Sequence, residues 1–388
     1  MTGIDSTYVT SVLSELVRIN SINPAFSAGA TNEREIAEYV ATALADLGCE
    51  VTRHEPLPGR MSITGQLPGS GGGRSLMLYA HMDTVAVDGM SDPFSAEIRG
   101  GRMYGRGAYD MKCGLAACLA AVKALRDRNQ TLAGDVVVCA AADEETESLG
   151  MRDVLERVRT DAAIVTEPTE LQLCIAHKGF CWIEVETLGR AAHGSRFDEG
   201  VDANLRMGRF LCALEELEKR LRSSSPHVLV GPPSLHAAVL QGGSGTSTYA
   251  ARCRLEIERR TTPGETPESA MAEIGELLAR LAEQDPSFQG RHRLMLARDA
   301  FEVSRSAGVT QAVLAAATHT LGQAPAIIGA SYWMDAALLA AAGIETVVIG
   351  PSGTGAHSVE EWVDLRSVSE VAAILVSAAT RYCQWTTG

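Results

Sequence analysis

Three short apolar runs, Ser75 to Ala80, Asp135 to Ala142 and Ala162 to Thr166, are each followed at once by a histidine or a carboxylate. Runs this short and apolar, separated by helical patterns at 110–126 and 149–159, read as strands buried on both faces of an α/β sheet. A helix at 32–47 precedes them, opened by Asn32 and Glu35 as a capping box and stopped by Gly48. In open sheets of this kind ligands collect outside the carboxyl ends of the strands. The charged residues therefore stand where a site belongs. His81 and Asp83 follow the first run, Asp143, Glu144 and Glu145 the second, Glu167 the third, and His357 lies in the loop after a strand at 346–350. Asp110, at the start of the helix opened by Gly105 to Tyr109, supplies a fifth ligand position.

From about residue 180 the order changes to strand 180–188, helix 202–222, strands 235–241 and 249–259, helix 267–284 and a weak strand near 292–298. This β-α-β-β-α-β order is that of a ferredoxin-like split βαβ domain. The α/β pattern resumes with a helix at 306–321. The expected organisation is a catalytic domain over 1–179 and 296–388, with a mixed sheet and helices on both faces, interrupted by an inserted α+β domain over 180–295. A length of 388 residues accommodates both.

Lys and Arg number 34 against 48 Asp and Glu, a net charge of −14, which works against nonspecific binding to nucleic acid or an anionic membrane. No apolar run reaches 18 residues, and the first twenty read as an amphipathic helix carrying Asp5, Glu15 and Arg18 rather than as a leader. The nine cysteines are odd in number, form no C-x-x-C and mostly sit in apolar stretches, the pattern of buried thiols in a reducing compartment. The expectation is a soluble, cytoplasmic protein.

Taken singly, each charged motif has an ordinary reading. Acids favour the first turn of a helix, Glu167-Pro168 marks a turn, and His81 with Asp83 is a common hydrogen-bonded pair. Gly105 to Gly107 lacks the third glycine of a dinucleotide loop, and Gly69 to Gly73 reads as a turn between strands. Together they say more, because carboxylates crowded at strand ends repel one another unless a cation compensates. Oxygen and imidazole donors without thiolate suit zinc, cobalt or manganese.

The stretches Tyr79 to Val85, Gly105 to Lys112, Asp143 to Glu145, Thr166 to Thr169 and Gly355 to Ser358 resemble the co-catalytic zinc amidohydrolases, the family of acetylornithine deacetylase, succinyl-diaminopimelate desuccinylase, the aminoacylases and carboxypeptidase G. The likeness runs almost end to end and implies a zinc-peptidase-like catalytic domain with an inserted lid and dimerisation domain. It implies that His81 and Glu167 hold one metal, Glu145 and His357 a second, and that Asp110 bridges them. Asp83 would orient His81 from behind. Glu144 would take a proton from a water shared by the two cations and return it to the leaving amine. In the insert, Gly189 to Ser195 resembles the segment whose histidine, here His193, stabilises the oxyanion, often across a dimer interface. Glu258 to Gly264 resembles the stretch in which an arginine grips the substrate carboxylate, which places that role on Arg260 with Arg259 as the fallback. In the segment Gly242 to Tyr249, which includes Gly243, Ser247 stands where many members carry asparagine, and Cys113 stands where a glycine is usual. The segment Ser331 to Asp335 resembles a substrate-side stretch in which Trp333 either shapes a pocket or packs.

The implied function is a two-metal amidohydrolase, zinc before cobalt or manganese, that cleaves the amide of an N-acyl amino acid. The alternatives are a dipeptidase or carboxypeptidase of the same family and, from another class, a non-catalytic metal-dependent binding protein. The implied partner is a small N-acyl amino acid or dipeptide-like substrate, with neither nucleic acid nor membrane, and the chain is expected to form a homodimer through the insert.

Overall fold

A computed structural model describes residues 3–26, 31–129 and 131–384. Every residue of strands Leu76–His81 and Val136–Ala141 is buried, which requires cover on both faces of the sheet they share. The order across that sheet is Glu50–His54, Ser62–Leu67, Val136–Ala141, Leu76–His81, Ala162–Val165, Glu345–Val348 and Leu173–His177. Four adjacent strands, 136–141, 76–81, 162–165 and 345–348, run parallel, and the flanking pairs are antiparallel. The sheet is therefore mixed. Because the four central strands point one way, their carboxyl ends form a single rim.

Helices Ser6–Arg18, Lys112–Asp127, Gly308–Leu321 and Leu365–Tyr382 pack together, and Arg34–Asp46, Leu149–Arg157 and Ala336–Ala341 form a separate set against the sheet. Gly114 opens the way for one of them. A Cβ there would lie 2.3 Å from Thr166 Oγ1 and 2.5 Å from its carbonyl, so only glycine lets helix Lys112–Asp127 close on the end of strand Ala162–Val165. The expected capping box at Asn32 and Glu35 does not form. The helix begins at Arg34 with Glu33 at its cap position and no side-chain cap, while Asn32 Oδ1 accepts from Arg34 N. Glu33 is drawn away by a buried ion pair with Arg60.

The chain divides into two units. The first comprises Met1–Ile175, Val303–Ile328 and Met334–Gly388, and the second Ala176–Glu302 with Gly329–Trp333. The first leaves off at Ile175 and resumes at Val303, whose N–H donates to the Ile175 carbonyl at 2.9 Å. The second holds an antiparallel sheet ordered Ser234–Gly242, Arg252–Thr261, Gly179–Leu188, Gln289–Arg298, with helices Ala203–Ser223 and Pro267–Gln284. In chain order that is 2-3-1-4, the ferredoxin-like arrangement. Alternate residues Ile183, Val185, Leu255 and Ile257 meet Phe210, Leu214, Ile274 and Leu277 in one core. Its last strand, expected to be weak, is a full ten residues, because Glu184 and Glu186 of the neighbouring strand pair with Arg293 and Arg291 along it.

None of the nine cysteines, all of them described, is in a disulfide; eight are buried and Cys212 is exposed. No described helix is long and apolar enough to cross a membrane.

Candidate metal centre

The rim gathers the charged residues. His81 ends its strand, and its Nδ1 lies 3.0 Å from the Asp83 carbonyl oxygen. A carbonyl only accepts, so in the neutral ring Nδ1 carries the proton and Nε2 presents its lone pair. That Nε2 faces Asp110 Oδ1 at 3.4 Å, Glu167 Oε1 at 3.5 Å and Glu144 Oε2 at 3.9 Å. His357 Nε2 lies 3.2 Å from the other Asp110 oxygen, Oδ2, and 3.1 Å from Glu145 Oε2. The two oxygens of Asp110 thus face two different imidazoles. Two trios offer ligand atoms within 4.8 Å of one another: His81, Glu144 and Glu167, and His81, Asp110 and Glu145. Glu144 falls inside the first trio rather than standing apart from it.

Much of the support behind these groups lies outside the motifs. The Asp83 carboxylate is 3.6 Å from His81 Nδ1, but it accepts from Glu144 N at 3.1 Å, Glu145 N at 3.2 Å and Asn23 Nδ2 at 2.9 Å. It holds the turn that bears both glutamates as well as facing the histidine. Asn23 Nδ2 also reaches Asp143 Oδ1 at 2.9 Å, and Asp143 is paired with Arg60, which in turn forms a fork with buried Glu33. Asp143 and His357 both take left-handed backbone conformations, with φ of 71° and 61°. Asn23, Glu33 and Arg60 carried no sequence signal, since their partners lie as far as 120 residues away along the chain.

The electrostatics fit a cation. Burial pushes the Glu144 and Glu167 carboxyls well above the ordinary range, with Glu167 and Glu145 adding to the shift of Glu144, and Asp110 and Glu145 to that of Glu167. Burial also raises Glu145, against a hydrogen bond from His357. Burial would raise Asp110 too, but hydrogen bonds from His357 and His81 outweigh it and hold Asp110 below the usual range. His81 is held well above its ordinary value, because Asp110, Glu167 and Glu144 overcome the effect of burial, and hydrogen bonds to Asp110 and Glu145 push His357 up to about 10. Glu145 Oε1 is buried without a hydrogen-bond partner. An orphaned acceptor among repelling carboxylates is what a divalent ion satisfies, and the donor set of oxygens and imidazoles suits zinc, cobalt or manganese.

The remaining candidates lie in the second unit. The exposed His193 bridges to Thr248, its Nδ1 lies 2.8 Å from Ser195 Oγ, and Gly194 N donates to the Ser247 carbonyl, so His193 and Ser247 share one loop pair. Gly243 turns the nearby chain with φ of 81°. Arg260 stands elsewhere, near the far end of strand Arg252–Thr261, with Nε 2.5 Å from Glu258 and its guanidinium over the Phe180 ring. Arg259 faces the core, bonded to Glu265, Glu273 and the Arg260 carbonyl, and is removed as the fallback. Trp333 donates to the Asp299 carbonyl and packs against His177 and Arg298.

The chain belongs to peptidase family M20/M25/M40, which matches residues 77–381, and it is a hydrolase of amide or peptide bonds. Among its relatives, an acetylornithine deacetylase of Myxococcus xanthus is 32% identical over 81% of this chain and 82% of its own length. An N-formyl-4-amino-5-aminomethyl-2-methylpyrimidine deformylase of Halalkalibacterium halodurans is 29% identical over 93% of this chain and 92% of its own. A dinuclear metal-binding peptidase of the family from Bacillus subtilis shares the fold with a TM-score of 0.77 at 15% identity, covering 98% of each chain.

Proposed function

We propose that the protein removes a small acyl group from the nitrogen of an N-acyl amino acid, using two divalent ions, zinc before cobalt or manganese. One observation carries the reading: Asp110 presents one oxygen to His81 and the other to His357, with Glu144 beside His81. His81 and Glu167 would hold one ion, His357 and Glu145 the other, and Asp110 both. Bound there, the ions would supply Lewis acidity to the amide carbonyl and to the attacking water. Glu144 takes the proton of that water at its carboxylate and delivers it to the departing amine nitrogen, a role helped by burial, which raises its proton affinity above that of an ordinary carboxylate. Asp83 keeps Glu144 in place through its backbone N–H. His193 meets the charge developing on the carbonyl oxygen, Arg260 takes the substrate carboxylate, and Ser247 and Gly243 shape the acyl side.

Two relatives named for removing acetyl and formyl groups support a deacylase. The dipeptidase or carboxypeptidase reading draws on the Bacillus subtilis peptidase of the same fold, since the same groups would cleave a peptide bond. The absence of a disulfide among the nine described cysteines supports a cytoplasmic setting. The second unit serves as lid and dimerisation domain.

The test is mass-spectrometric detection of amine release from N-acetyl, N-formyl, N-succinyl and aromatic-acyl amino acids and from dipeptides, by metal-stripped and metal-loaded protein. Metal-dependent turnover of the acyl amino acids supports the reading. Turnover confined to dipeptides moves the chain to the peptidase reading, and metal uptake without turnover of anything moves it to a binding protein.

A further inference from the structure

His81, Glu144, Glu145 and Glu167 stand at strand ends of the central sheet, but Asp110 and His357 do not. Asp110 precedes helix Lys112–Asp127, and His357 lies in the connection between strands Gly353–Thr354 and Trp362–Asp364, with half its side chain exposed. Something else must fix where these two stand. Arg106 and Glu361 form an ion pair at 2.6 Å with almost no exposure of either side chain. Glu361 Oε2 also accepts from Gly107 N at 3.1 Å, and Oε1 from Tyr109 N at 2.9 Å and Asp110 N at 3.0 Å. Arg106 donates from Nε to the Ala86 carbonyl at 3.1 Å and from Nη2 to the Ser358 carbonyl at 3.0 Å. One buried pair therefore ties the chain just after Asp83, the turn bearing Asp110 and the residue next to His357. At Gly107, with φ of 78°, a Cβ would lie 2.9 Å from Thr84 Cγ2, so the turn closes on the same strand end.

We infer that the Arg106–Glu361 pair is a positioning element that sets Asp110 and His357 relative to the strand-end ligands, and so governs the His357 side of the metal centre, which takes two ligands from the turn and the loop, more strongly than the His81 side, which takes Asp110 alone from them. The inference rests on the metal reading proposed above. Neither Arg106 nor Glu361 belongs to a ligand trio among the described residues. Ligands anchored by the sheet keep their places without them, whereas the turn and the loop do not. Partners behind a metal ligand typically change affinity by about 10- to 100-fold when removed.

The test is equilibrium titration of the metal-free full chain with cobalt, followed by visible absorption, and with zinc by calorimetry. His357→Ala identifies the binding step that belongs to its side. Arg106→Lys keeps a cation opposite Glu361 but cannot serve the Ala86 and Ser358 carbonyls together, and Glu361→Gln leaves one oxygen where two accepted. Both variants are expected to weaken the step lost in His357→Ala by about 10- to 100-fold and the other step, which depends on the pair through Asp110 alone, by several-fold less. Equal weakening of both steps, or of neither, overturns the inference. So does unfolding of both metal-free variants by circular dichroism, which would make the pair a stability element. A wild-type chain that takes up no pair of ions instead overturns the metal reading itself.

Discussion

Glu144 and Glu145 are neighbours in sequence with different tasks, and the difference lies in what each faces. Glu145 points at His357, and Glu144 at His81 and Glu167. Glu144→Gln should retain both ions and lose turnover by about a hundred- to ten-thousand-fold, checked by metal content and kcat on one sample. Full activity in that variant would remove Glu144 as the base. The same substitution has a second, opposite effect. The folded-state pKa of Glu144 is raised above its unfolded value by burial and by Glu167, so its contribution to stability is intact below about pH 4 and is lost as pH rises through the folded value. Metal-free Glu144→Gln should therefore melt higher than wild type at pH 7 and level with it near pH 4, measured by thermal unfolding at both. His357 makes a related case: pushed up to about 10 by Asp110 and Glu145, it holds a proton at pH 7 in the metal-free centre, and a nitrogen that ligates must give its proton up. Zinc loading at pH 7 should release at least about one proton per chain, with affinity falling as pH falls. Calorimetry in buffers of different ionisation enthalpy reads this, and no buffer dependence would contradict the protonation described.

At the scale of elements, adjacent residues of one strand separate by pleat. In strand Arg252–Thr261, Arg259 turns inward to Glu265 and Glu273, and Arg260 outward. Arg259→Ala should cost about 3 kcal/mol, the low end for breaking a buried pair because both glutamates keep part of their surface in water. Arg260→Ala should leave the melting temperature alone and raise KM at least about tenfold for substrates with a free carboxylate, but not for amides without one. Equal damage to both substrate types would end that assignment. The period-2 alternation of this strand was legible in the sequence, as were the fully apolar strands, because burial on one face or two writes itself locally. The partners Asn23, Arg60, Arg106 and Glu361 were not. Their bonds are made across 20 to 255 residues, and a lone Asn, Arg or Glu reads no differently whether it is solvated or buried. Of the expected capping box only the Asn32 half forms, its Oδ1 accepting from Arg34 N. The edge strand Glu50–His54, its neighbour Ser62–Leu67 and the helix Leu365–Tyr382 lie outside the sequence expectations too.

At the scale of the whole molecule, the second unit sets His193 and Arg260 apart. His193 adjoins the end of the sheet where Arg252 pairs with Leu188, and Arg260 lies eight residues along the same strand, roughly 26 Å at strand rise. An N-acyl amino acid is far shorter than that. Both roles fall on one substrate only if a second copy of the chain supplies one of them. Mixing His193→Ala with Arg260→Ala, assayed on a carboxylate-bearing substrate far below KM where each variant alone is strongly weakened, should then raise activity to about a quarter of wild type, since half the dimers are mixed and one site in each is intact. No recovery on mixing would show that the two residues do not serve one substrate across a dimer.

The meeting of Ile175 with Val303 bears on how such a chain can change. A hydrogen bond of 2.9 Å joins the points where the first unit breaks off and resumes, so to that unit some 127 intervening residues look like the loop of a hairpin. The ends are held together whatever lies between them, and loop-closure entropy grows only slowly with length. The insert can be shortened, exchanged or rebuilt without retuning the rim that holds the histidines and carboxylates. The metal-holding rim and substrate choice can thus evolve on separate stretches of one gene.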